Sequence, residues 1–265
     1  MSRALPYWHV DAFTDHPFGG NQAAVIPLDD WLDDDLLLAI AGENNFAETA
    51  FCVRDASGEA DWDLRWFTPA EEVRLCGHAT LASGHVLLAR DGGERVRFRT
   101  RRAGTLEVAR AGAGYELALP LIRTEPGEWA EAAQLLGAQP QEVWLHPDGY
   151  GVYLFASEDA VRALDPDLRA LGALGNDQFI CTAPGSDTDV VSRVFGPGAG
   201  VDEDSFTGSA HAVLTQFWTE RLGRSSFTAC QASRRGGQAI CRRDGARAVL
   251  SGHCVTVVEG RFFLP

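Results

Sequence analysis

Short apolar or alternating runs dominate the chain and predict β-strands separated by turns. Such runs occupy residues 7–13, 23–28, 96–100, 105–109, 115–118, 151–155, 248–251 and 254–259. Helical spacing of apolar residues is rarer, and it predicts surface helices at 31–43, 126–136, 158–163 and 166–171. The pattern therefore favours an α+β protein in which sheets outweigh helices.

A faint internal repeat runs through this pattern. The segment RWFTP at 65–69 returns as RVFGP at 193–197, 128 positions later, and each predicts a strand that ends at proline. Phe51, in the apolar run ETAFCV, maps at the same spacing onto Phe179 in NDQFIC. Chance is the competing explanation for so weak a repeat, but the agreement of several offsets favours duplication.

A small-residue turn follows each copy and opens a buried helix. The first turn contains Gly77 and the second contains Gly208, 131 positions later. Free N–H groups and the positive end of the helix dipole make such a start a cradle for a carboxylate. Two cradles predict two similar lobes that share one site. A division near 120–126 gives an N-terminal lobe of 1–119 and a C-terminal lobe of 120–265, with the last strand, about 255–265, as a candidate to complete the first.

Composition excludes several classes of function. The chain carries 37 acidic and 23 basic residues, a net charge of −14 that opposes binding to nucleic acid. All the basic residues are arginine, so a lysine Schiff base and a P-loop lysine are ruled out. The six cysteines form no C-x-x-C pair and are expected to be free thiols. With no membrane span or signal-peptide pattern, the expected location is the cytoplasm.

Three residues of acid–base type stand out against the repeat: Glu48 in NNFAETAF, His78 in LCGHAT and Asp204 in VDEDSFTGSAH. Glu48 begins a predicted strand between phenylalanines, where partial burial would suit a general base. His78 follows the glycine at a helix start, where the dipole favours a neutral ring. Each residue also has a purely structural explanation: a solvated glutamate, a packed or capping histidine and an Asx cap.

Other motifs point to no cofactor. The chain lacks G-x-S-x-G, H-E-x-x-H and a G-x-G-x-x-G that follows a strand. Cys76, His78 and His85 lack structural-zinc spacing, so no metal site is predicted. The arginines at 95, 97, 99 and 101 alternate with apolar or small residues, as on a strand with one solvated face.

Five ordered blocks resemble the PhzF family of phenazine-biosynthesis proteins: DAFTDHPFGGNQAAVIPL, NNFAETAF, WFTPAEEVRLCGHATLASGHVL, VDEDSFTGSAHAVL and QASRRGG…VLSGHCVTVVEG. The resemblance implies a diaminopimelate-epimerase-like fold of two similar lobes, each a sheet wrapped around a central helix. It also implies a cofactor-independent isomerase that moves a proton on a small carboxylate, either cyclic or acyclic. A homodimer is a further expectation of the family.

By the same resemblance, Glu48, His78 and Asp204 match catalytic positions of the family. The positions that match substrate contacts are Asn21, Gly77, Gly208 and Ser209. Ser205 stands where the family usually has proline, and Ala47 where the phenazine enzyme has serine, so the resemblance gives the reaction class and not the substrate.

Two alternatives to the isomerase remain open at the level of sequence. One is a catalytically silent protein that binds a small carboxylate or a partner chain. The other is a thiol protein, either a cysteine-dependent epimerase or a redox protein, built on Cys76. Related amino-acid epimerases use two opposed cysteines, whereas the repeat mate of Cys76 is Thr207, which disfavours a two-thiol racemase.

Overall fold

The structure, a computed structural model, describes residues 3–264. The first two residues of the expected N-terminal lobe and the final residue of the expected last strand lie outside this range. The strands are β1 (Arg3–Ala12), β2 (Asn21–Leu28), β3 (Glu48–Arg54), β4 (Trp62–Phe67), β5 (Glu72–Val73), β6 (Arg95–Thr100), β7 (Thr105–Ala111), β8 (Gly114–Pro120), β9 (Glu125–Gly127), β10 (Glu142–His146), β11 (Tyr150–Leu154), β12 (Gln178–Pro184), β13 (Val190–Gly196), β14 (Val201–Asp204), β15 (Ser226–Gln231), β16 (Gly237–Asp244), β17 (Arg247–Gly252) and β18 (Cys254–Leu264). The helices are α1 (Asp34–Asn44), α2 (Gly77–Asp91), α3 (Ala130–Leu135), α4 (Glu158–Arg162), α5 (Leu168–Leu174) and α6 (Gly208–Leu222).

Two compact units divide the chain. One consists of the residues up to Leu119 together with the segment that starts at Ser251, and the other is Pro120–Leu250. The C-terminal strand β18 joins the first unit as the antiparallel partner of β1. Among residues 3–264, none of the helices has the length and apolar character that crossing a membrane would require.

The two units repeat one strand order. In the first unit, β2 is antiparallel to β1 and parallel to β3, while β4 is antiparallel to β3 and β5 and parallel to β6. In the second unit, β11 is antiparallel to β10 and parallel to β12, while β13 is antiparallel to β12 and β14 and parallel to β15. The hairpins β6–β7 and β15–β16 also correspond. The internal repeat inferred from the sequence is thus present as a repeated topology. The match of Phe51 to Phe179 is wrong by two positions, since Phe51 pairs with Arg65, whereas Arg193, the counterpart of Arg65, pairs with Cys181.

One long buried helix lies at the centre of each unit. Helices α2 and α6 have 15 residues each, and eleven of these are buried in both cases. Small residues let α2 pack tightly, since a Cβ added at Gly84 would lie 2.4 Å from a methyl carbon of Val108. Buried hydroxyls return their hydrogen bonds to the helix itself, as when Ser83 donates to the Ala79 carbonyl at 2.7 Å.

A further apolar cluster in each unit packs the shorter helices against the outer side of the sheet. In the first unit, residues of α1 such as Leu37 and Ile40 pack with Ile26 and Phe51 of the sheet. In the second unit, Leu171 of α5 and neighbouring residues pack with Phe179. Buried side chains of this size each contribute about 1.5–3 kcal/mol of transfer free energy. These clusters therefore anchor β3 and β12 against the shorter helices.

The structure corrects one predicted helix and adds strands that the pattern missed. The helix expected at 126–136 is shorter, Ala130–Leu135, because Pro126 belongs to β9, which pairs with β10. Strands β10, β15 and β16 were not predicted, since polar residues interrupt their apolar alternation. The arginine run in β6 follows the predicted alternation, with Val96 and Phe98 buried between exposed or half-exposed arginines.

Candidate active site

Glu48 is the first residue of β3, a strand whose middle is entirely buried. The chain reaches this point through Asn45, which adopts a left-handed conformation at the end of α1 with φ of 50°. The amide of Asn44 donates to the Thr49 hydroxyl at 2.9 Å and fixes the turn before the strand. The strand start therefore holds the glutamate side chain in one place, and that side chain is 16% exposed.

The turn before α2 supplies the partners of Glu48. Cys76 is the N-cap residue, with extended backbone, and the helix begins at Gly77, as the sequence predicted. Gly77 and His78 are both buried. Because Cys76 makes no side-chain cap, its thiol is left to face the histidine.

Glu48 and His78 form the closest acid–base contact of the first unit's site. Glu48 Oε2 lies 3.1 Å from His78 Nε2, an ion-pair distance. The same nitrogen lies 3.2 Å from the carbonyl oxygen of Gln22, which can only accept, so Nε2 carries a proton. Since that proton is directed at Gln22, Glu48 Oε2 is buried without a well-aligned hydrogen bond.

The opposite nitrogen of His78 has two neighbours. The amide nitrogen of Asn21 lies 3.1 Å from Nδ1, and Cys76 Sγ lies 3.5 Å from it. Both can donate to Nδ1 while the ring is neutral, and in the imidazolium the amide oxygen of Asn21 or the Cys76 sulfur can accept the Nδ1 proton instead. Asn21, at the start of β2, is 2% exposed, so it serves as a rigid support for the imidazole ring.

Electrostatics tie these groups together. Burial disfavours the imidazolium, but the neighbouring Cys76 sulfur and Glu48 carboxylate raise the pKa of His78 well above its ordinary value. Burial, reinforced by the Glu48 carboxylate, raises the pKa of Cys76 to about 11. Because the thiol is then protonated at neutral pH, the carboxylate supplies the attraction for the imidazolium. The direction of the His78 shift is opposite to the one expected from the helix start alone.

Glu48, Cys76 and His78 also converge as potential metal ligands. One donor atom of each lies within 4.8 Å of the other two. His85, which lies close to Cys76 and His78 in the sequence, instead contacts the hydroxyls of Tyr115 and Thr256.

The second unit holds the remaining predicted residues at the start of α6. The helix begins at Gly208, as predicted, with Thr207 as its N-cap residue. Thr207, and not Asp204, therefore occupies the cap position, and its hydroxyl donates to Asp204 Oδ2 at 2.6 Å. The hydroxyl of Ser209 donates to Gln178 Oε1 at 3.3 Å.

Three glutamines that contact these residues were not predicted from the sequence. The carbonyl of Gln22 fixes the proton on His78, and Gln178 is the partner of Ser209. Gln231 is fully buried and bonds through its side chain to the Thr207 N–H and to the Asp204 carbonyl. Neither offset of the repeat, 128 or 131, maps Glu48 onto Gln178, which lies 130 positions later, and only the strand pairing shows that the two residues correspond.

The structure thus gathers Asn21, Glu48, Gly77 and His78 in the first unit. It gathers Asp204, Gly208 and Ser209 at one helix start in the second unit. The catalytic and binding roles of these seven residues remain predictions.

Known proteins resemble this chain over nearly its whole length. The family model described as phenazine biosynthesis-like protein (PhzC-PhzF) matches residues 10–260. An uncharacterized isomerase of Pseudomonas aeruginosa is 48% identical, covering 98% of this chain and 99% of its own. The crystal structure of a PhzF-family protein from Enterococcus faecalis superposes with a TM-score of 0.91 at 36% identity, covering 99% of this chain and all of its own.

A more distant likeness concerns the fold alone. A hydroxyproline epimerase from Agrobacterium vitis matches with a TM-score of 0.66 at 13% identity, over 99% of this chain and 93% of its own. The expected α+β, diaminopimelate-epimerase-like fold is confirmed, and the relatives named isomerases support that broad class. The chain belongs to the phenazine biosynthesis-like PhzC–PhzF family.

Proposed function

We propose that this protein is a cofactor-independent isomerase that moves a proton between two carbon atoms of a small carboxylate, with Glu48 as the acid–base group. The observation that carries the proposal is the state of Glu48 Oε2, which is buried, adjacent to His78 Nε2 and without a well-aligned hydrogen bond. A carboxylate held in this way is not committed to other donors, and because its side chain is 16% exposed it can accept a substrate C–H proton.

The neighbouring groups fit supporting roles in such a transfer. His78 carries a proton on Nε2 beside the carboxylate and is held in position by Asn21 and the Gln22 carbonyl. The start of α2 at Gly77 offers unpaired N–H groups and a positive dipole end, which stabilise negative charge that develops on a substrate. Positioning of this kind lowers the barrier without a metal or an organic cofactor.

The second unit is part of the proposal through the family resemblance. Gly208 and Ser209 begin α6 as Gly77 and His78 begin α2, which suits them to bind a carboxylate group. Asp204 accepts a short hydrogen bond from Thr207 and keeps a fixed carboxylate next to that helix start. We assign it the second acid–base role.

A thiol mechanism is less well supported. Nucleophilic or redox cysteines need a low pKa, whereas burial and Glu48 raise the pKa of Cys76 to about 11. The corresponding residue of the repeat, Thr207, has a hydroxyl that is committed to Asp204. A racemase with two opposed thiols therefore lacks its second group.

The test is a screen for proton exchange. Small cyclic and acyclic carboxylic acids are incubated with the protein in heavy water, and ¹H NMR follows the loss of C–H signals. We expect at least one acid to exchange a carbon-bound proton only when protein is present. Absence of exchange across the panel, with direct binding of the same acids, would instead support the silent binding protein.

Two variants assign the proton to its carrier. Glu48→Gln keeps the size of the side chain but cannot accept a C–H proton, so exchange should fall by about 10²- to 10⁴-fold. Cys76→Ser is the control, and its exchange rate should stay within about tenfold of the unmodified protein. The reverse result, a silent Cys76→Ser and an active Glu48→Gln, would replace the carboxylate mechanism with a thiol mechanism.

A further inference from the structure

The loop that joins β1 to β2 presents a phenylalanine to solvent. Phe18 is 75% exposed, the largest value among the exposed large hydrophobic side chains of residues 3–264. We propose that Phe18 is a substrate-binding residue that contacts an apolar group of the acid held at Glu48 and His78. The substrate is then a small carboxylate that carries an apolar group next to its reacting carbon. This inference rests on the proposed function.

The backbone at Phe18 has a conformation that is unfavourable for phenylalanine. Its φ angle is 73°, in the left-handed region, where a side chain with a Cβ atom is crowded by the backbone. Packing does not compensate for this strain, because most of the ring lies in solvent. Strained residues of this kind are concentrated at binding and catalytic sites. The conformation therefore indicates that the ring has a role other than stabilising the fold.

Neighbouring residues hold the backbone in this conformation. The N–H of Phe18 donates to Asp11 Oδ2 at 2.7 Å, and Asp11 is only 1% exposed. The next two residues are glycines that pass close to the end of β1. A Cβ added at Gly20 would lie 2.1 Å from the carbonyl oxygen of Ala12, so the chain has no room for a side chain there. A hydrogen bond to a carboxylate and this close backbone contact together fix the segment that carries the ring.

Strand register places the loop at the end of the sheet that carries the candidate site. Ala12 pairs with Asn21, so residues 13–20 leave the β1–β2 ladder at that end. Strand β3 runs parallel to β2, and its first residue, Glu48, pairs with Ala23. The loop and the proposed acid–base group therefore lie at the same end of neighbouring strands.

The chain also limits how far Phe18 lies from the site. Asn21, which contacts His78 Nδ1 at 3.1 Å, follows Phe18 by three residues. Three residues span at most about 11 Å, and the phenyl side chain extends into part of this distance. A small acid whose reacting carbon lies at Glu48 is long enough to bring an apolar group to the ring. Aromatic rings bind such groups through apolar contact.

Binding of two acids tests the contact without requiring turnover. NMR titration measures the affinity of the protein for cyclohexanecarboxylate and for acetate, which lacks the apolar group. We expect cyclohexanecarboxylate to bind more tightly than acetate, and Phe18→Ala to weaken its binding by about three- to tenfold. Unchanged affinity in Phe18→Ala, or no binding of cyclohexanecarboxylate to the unmodified protein, would overturn the proposal.

Phe263→Ala is the matched control. Phe263 is a second exposed phenylalanine of the same unit, at 66%, and it pairs with Ala4. Ala4 lies eight residues before Ala12, so Phe263 is roughly 26 Å along β1 from the loop. Its replacement should leave both affinities unchanged. An equal loss in the two variants would mean that cyclohexanecarboxylate binds nonspecifically to exposed rings, which would also overturn the proposal.

A second substitution separates binding from stability. Asparagine adopts the left-handed region more readily than phenylalanine, so Phe18→Asn should unfold at a urea concentration at least as high as the unmodified protein. The same variant should bind cyclohexanecarboxylate as weakly as Phe18→Ala, whereas Phe18→Leu, which keeps an apolar side chain, should recover part of the affinity. A lower urea midpoint in Phe18→Asn would show that the ring stabilises the fold, contrary to the proposal.

Kinetics distinguishes this inference from the proposed function. Once an exchanging acid with an apolar group is found, Phe18→Asn should raise its KM by about three- to tenfold and change kcat by less than about twofold, because the ring contacts substrate away from the reacting carbon. Unchanged KM would remove Phe18 from the site and leave the isomerase intact. If binding of cyclohexanecarboxylate depends on Phe18 but no acid exchanges a proton, the binding residue stands and the proposed isomerase fails.

Discussion

The two units carry the same framework but different chemistry at corresponding places. Glu48 begins β3 and lies 3.1 Å from His78, the second residue of α2. In the other unit, Gln178 begins β12 and lies 3.3 Å from Ser209, the second residue of α6. The position that holds an ionisable pair in the first unit therefore holds a neutral pair in the second.

Ion pairs between neighbouring strands are repeated without this change. Arg65 of β4 donates two hydrogen bonds of 2.8 Å to Glu72 of β5. Arg193 of β13 makes the same two-bond contact with Glu203 of β14, at 2.7 and 3.1 Å. The repeat thus preserves the groups that join its strands, while the groups at the strand and helix starts have diverged. We interpret the preserved pairs as framework and the diverged pairs as the place of function.

Histidines near the two helix starts sharpen the contrast. His78 has Cys76 and Glu48 beside it, and despite burial its pKa is raised. His211 is also fully buried, but it donates Nδ1–H to the Thr207 carbonyl at 2.8 Å and stacks on Phe206, while its Nε2 has no hydrogen-bond partner. Burial therefore lowers the pKa of His211 to about 4. The pKa values of two buried histidines therefore shift in opposite directions, because one has an anion beside it and the other does not.

The largest expected effect comes from exchanging Glu48 with Gln178, its counterpart in the second unit. The double variant Glu48→Gln/Gln178→Glu keeps composition and charge but moves the carboxylate to the second unit. We expect the deuterium-exchange rate to fall by about 10²- to 10⁴-fold, because the new carboxylate has a serine hydroxyl and no imidazole beside it. NMR in heavy water measures this rate. If the double variant keeps the rate of the unmodified protein, the two sites are chemically equivalent.

A smaller effect, on acid stability, is expected from His211. Its folded pKa lies below the unfolded value of 6.5, so only the unfolded chain gains a proton as pH falls between them. The contribution of His211 to the unfolding free energy should therefore decrease by about 3 kcal/mol between pH 6.5 and 4, and this contribution should not change below that range.

Urea unfolding of the protein and of His211→Gln at pH 7 and pH 4.5 isolates this contribution. The variant should lose less stability on acidification than the parent, since glutamine does not titrate. Equal losses in the two proteins would mean that His211 is not the acid-sensitive group.

The repeated arginines should have similar structural effects. Arg65→Met and Arg193→Met each remove a two-bond ion pair whose arginine side chain is 3% or 14% exposed. Each should lower the unfolding free energy by about 2 kcal/mol, because a partly buried carboxylate loses a two-bond partner, although Glu72 keeps its contact with Arg101 at 3.0 Å. Urea denaturation measures the loss. A negligible effect in one variant would show that the repeat preserves geometry there without preserving stability.

The smallest effect is expected from Gln178→Glu alone. Glutamate can still accept the Ser209 hydroxyl, so the fold and the turnover number should be nearly unchanged. If this helix start binds a substrate carboxylate, the added negative charge should raise KM by about three- to tenfold, or about 1 kcal/mol. Steady-state kinetics separates the two parameters. A large fall in kcat would give Gln178 a direct part in the reaction.

Much of the framework was predictable from local pattern. The two helix starts at Gly77 and Gly208 and the strands around Phe51 and Phe179 were predicted and are confirmed. Small glycine turns and continuous apolar runs are strong local signals, because they follow from backbone sterics and burial. Strands with broken alternation, such as β15 and β16, gave no such signal, and their formation depends on pairing with distant strands.

The chemistry of the site was less accessible. The resemblance singled out Glu48 and His78, but their distance and the direction of the Nε2 proton depend on β2, β3 and α2 meeting in space. The expectation of a neutral His78 rested on the helix dipole alone. It did not include the carboxylate of Glu48, which lies 30 positions earlier in the chain and raises the pKa of the histidine. Electrostatic effects of this size act through space, so sequence neighbours are a poor guide to them.

Sequence alone determined the repeat, the two helix starts, the family and the absence of lysine chemistry, since each of these follows from local composition and spacing. The tertiary structure decided which residues meet. It brought the Gln22 carbonyl to His78, left Glu48 Oε2 without a well-aligned hydrogen bond and placed Cys76 beside both. Burial makes these contacts shift the pKa values of the groups, because a low-dielectric interior strengthens the effect of each neighbouring charge.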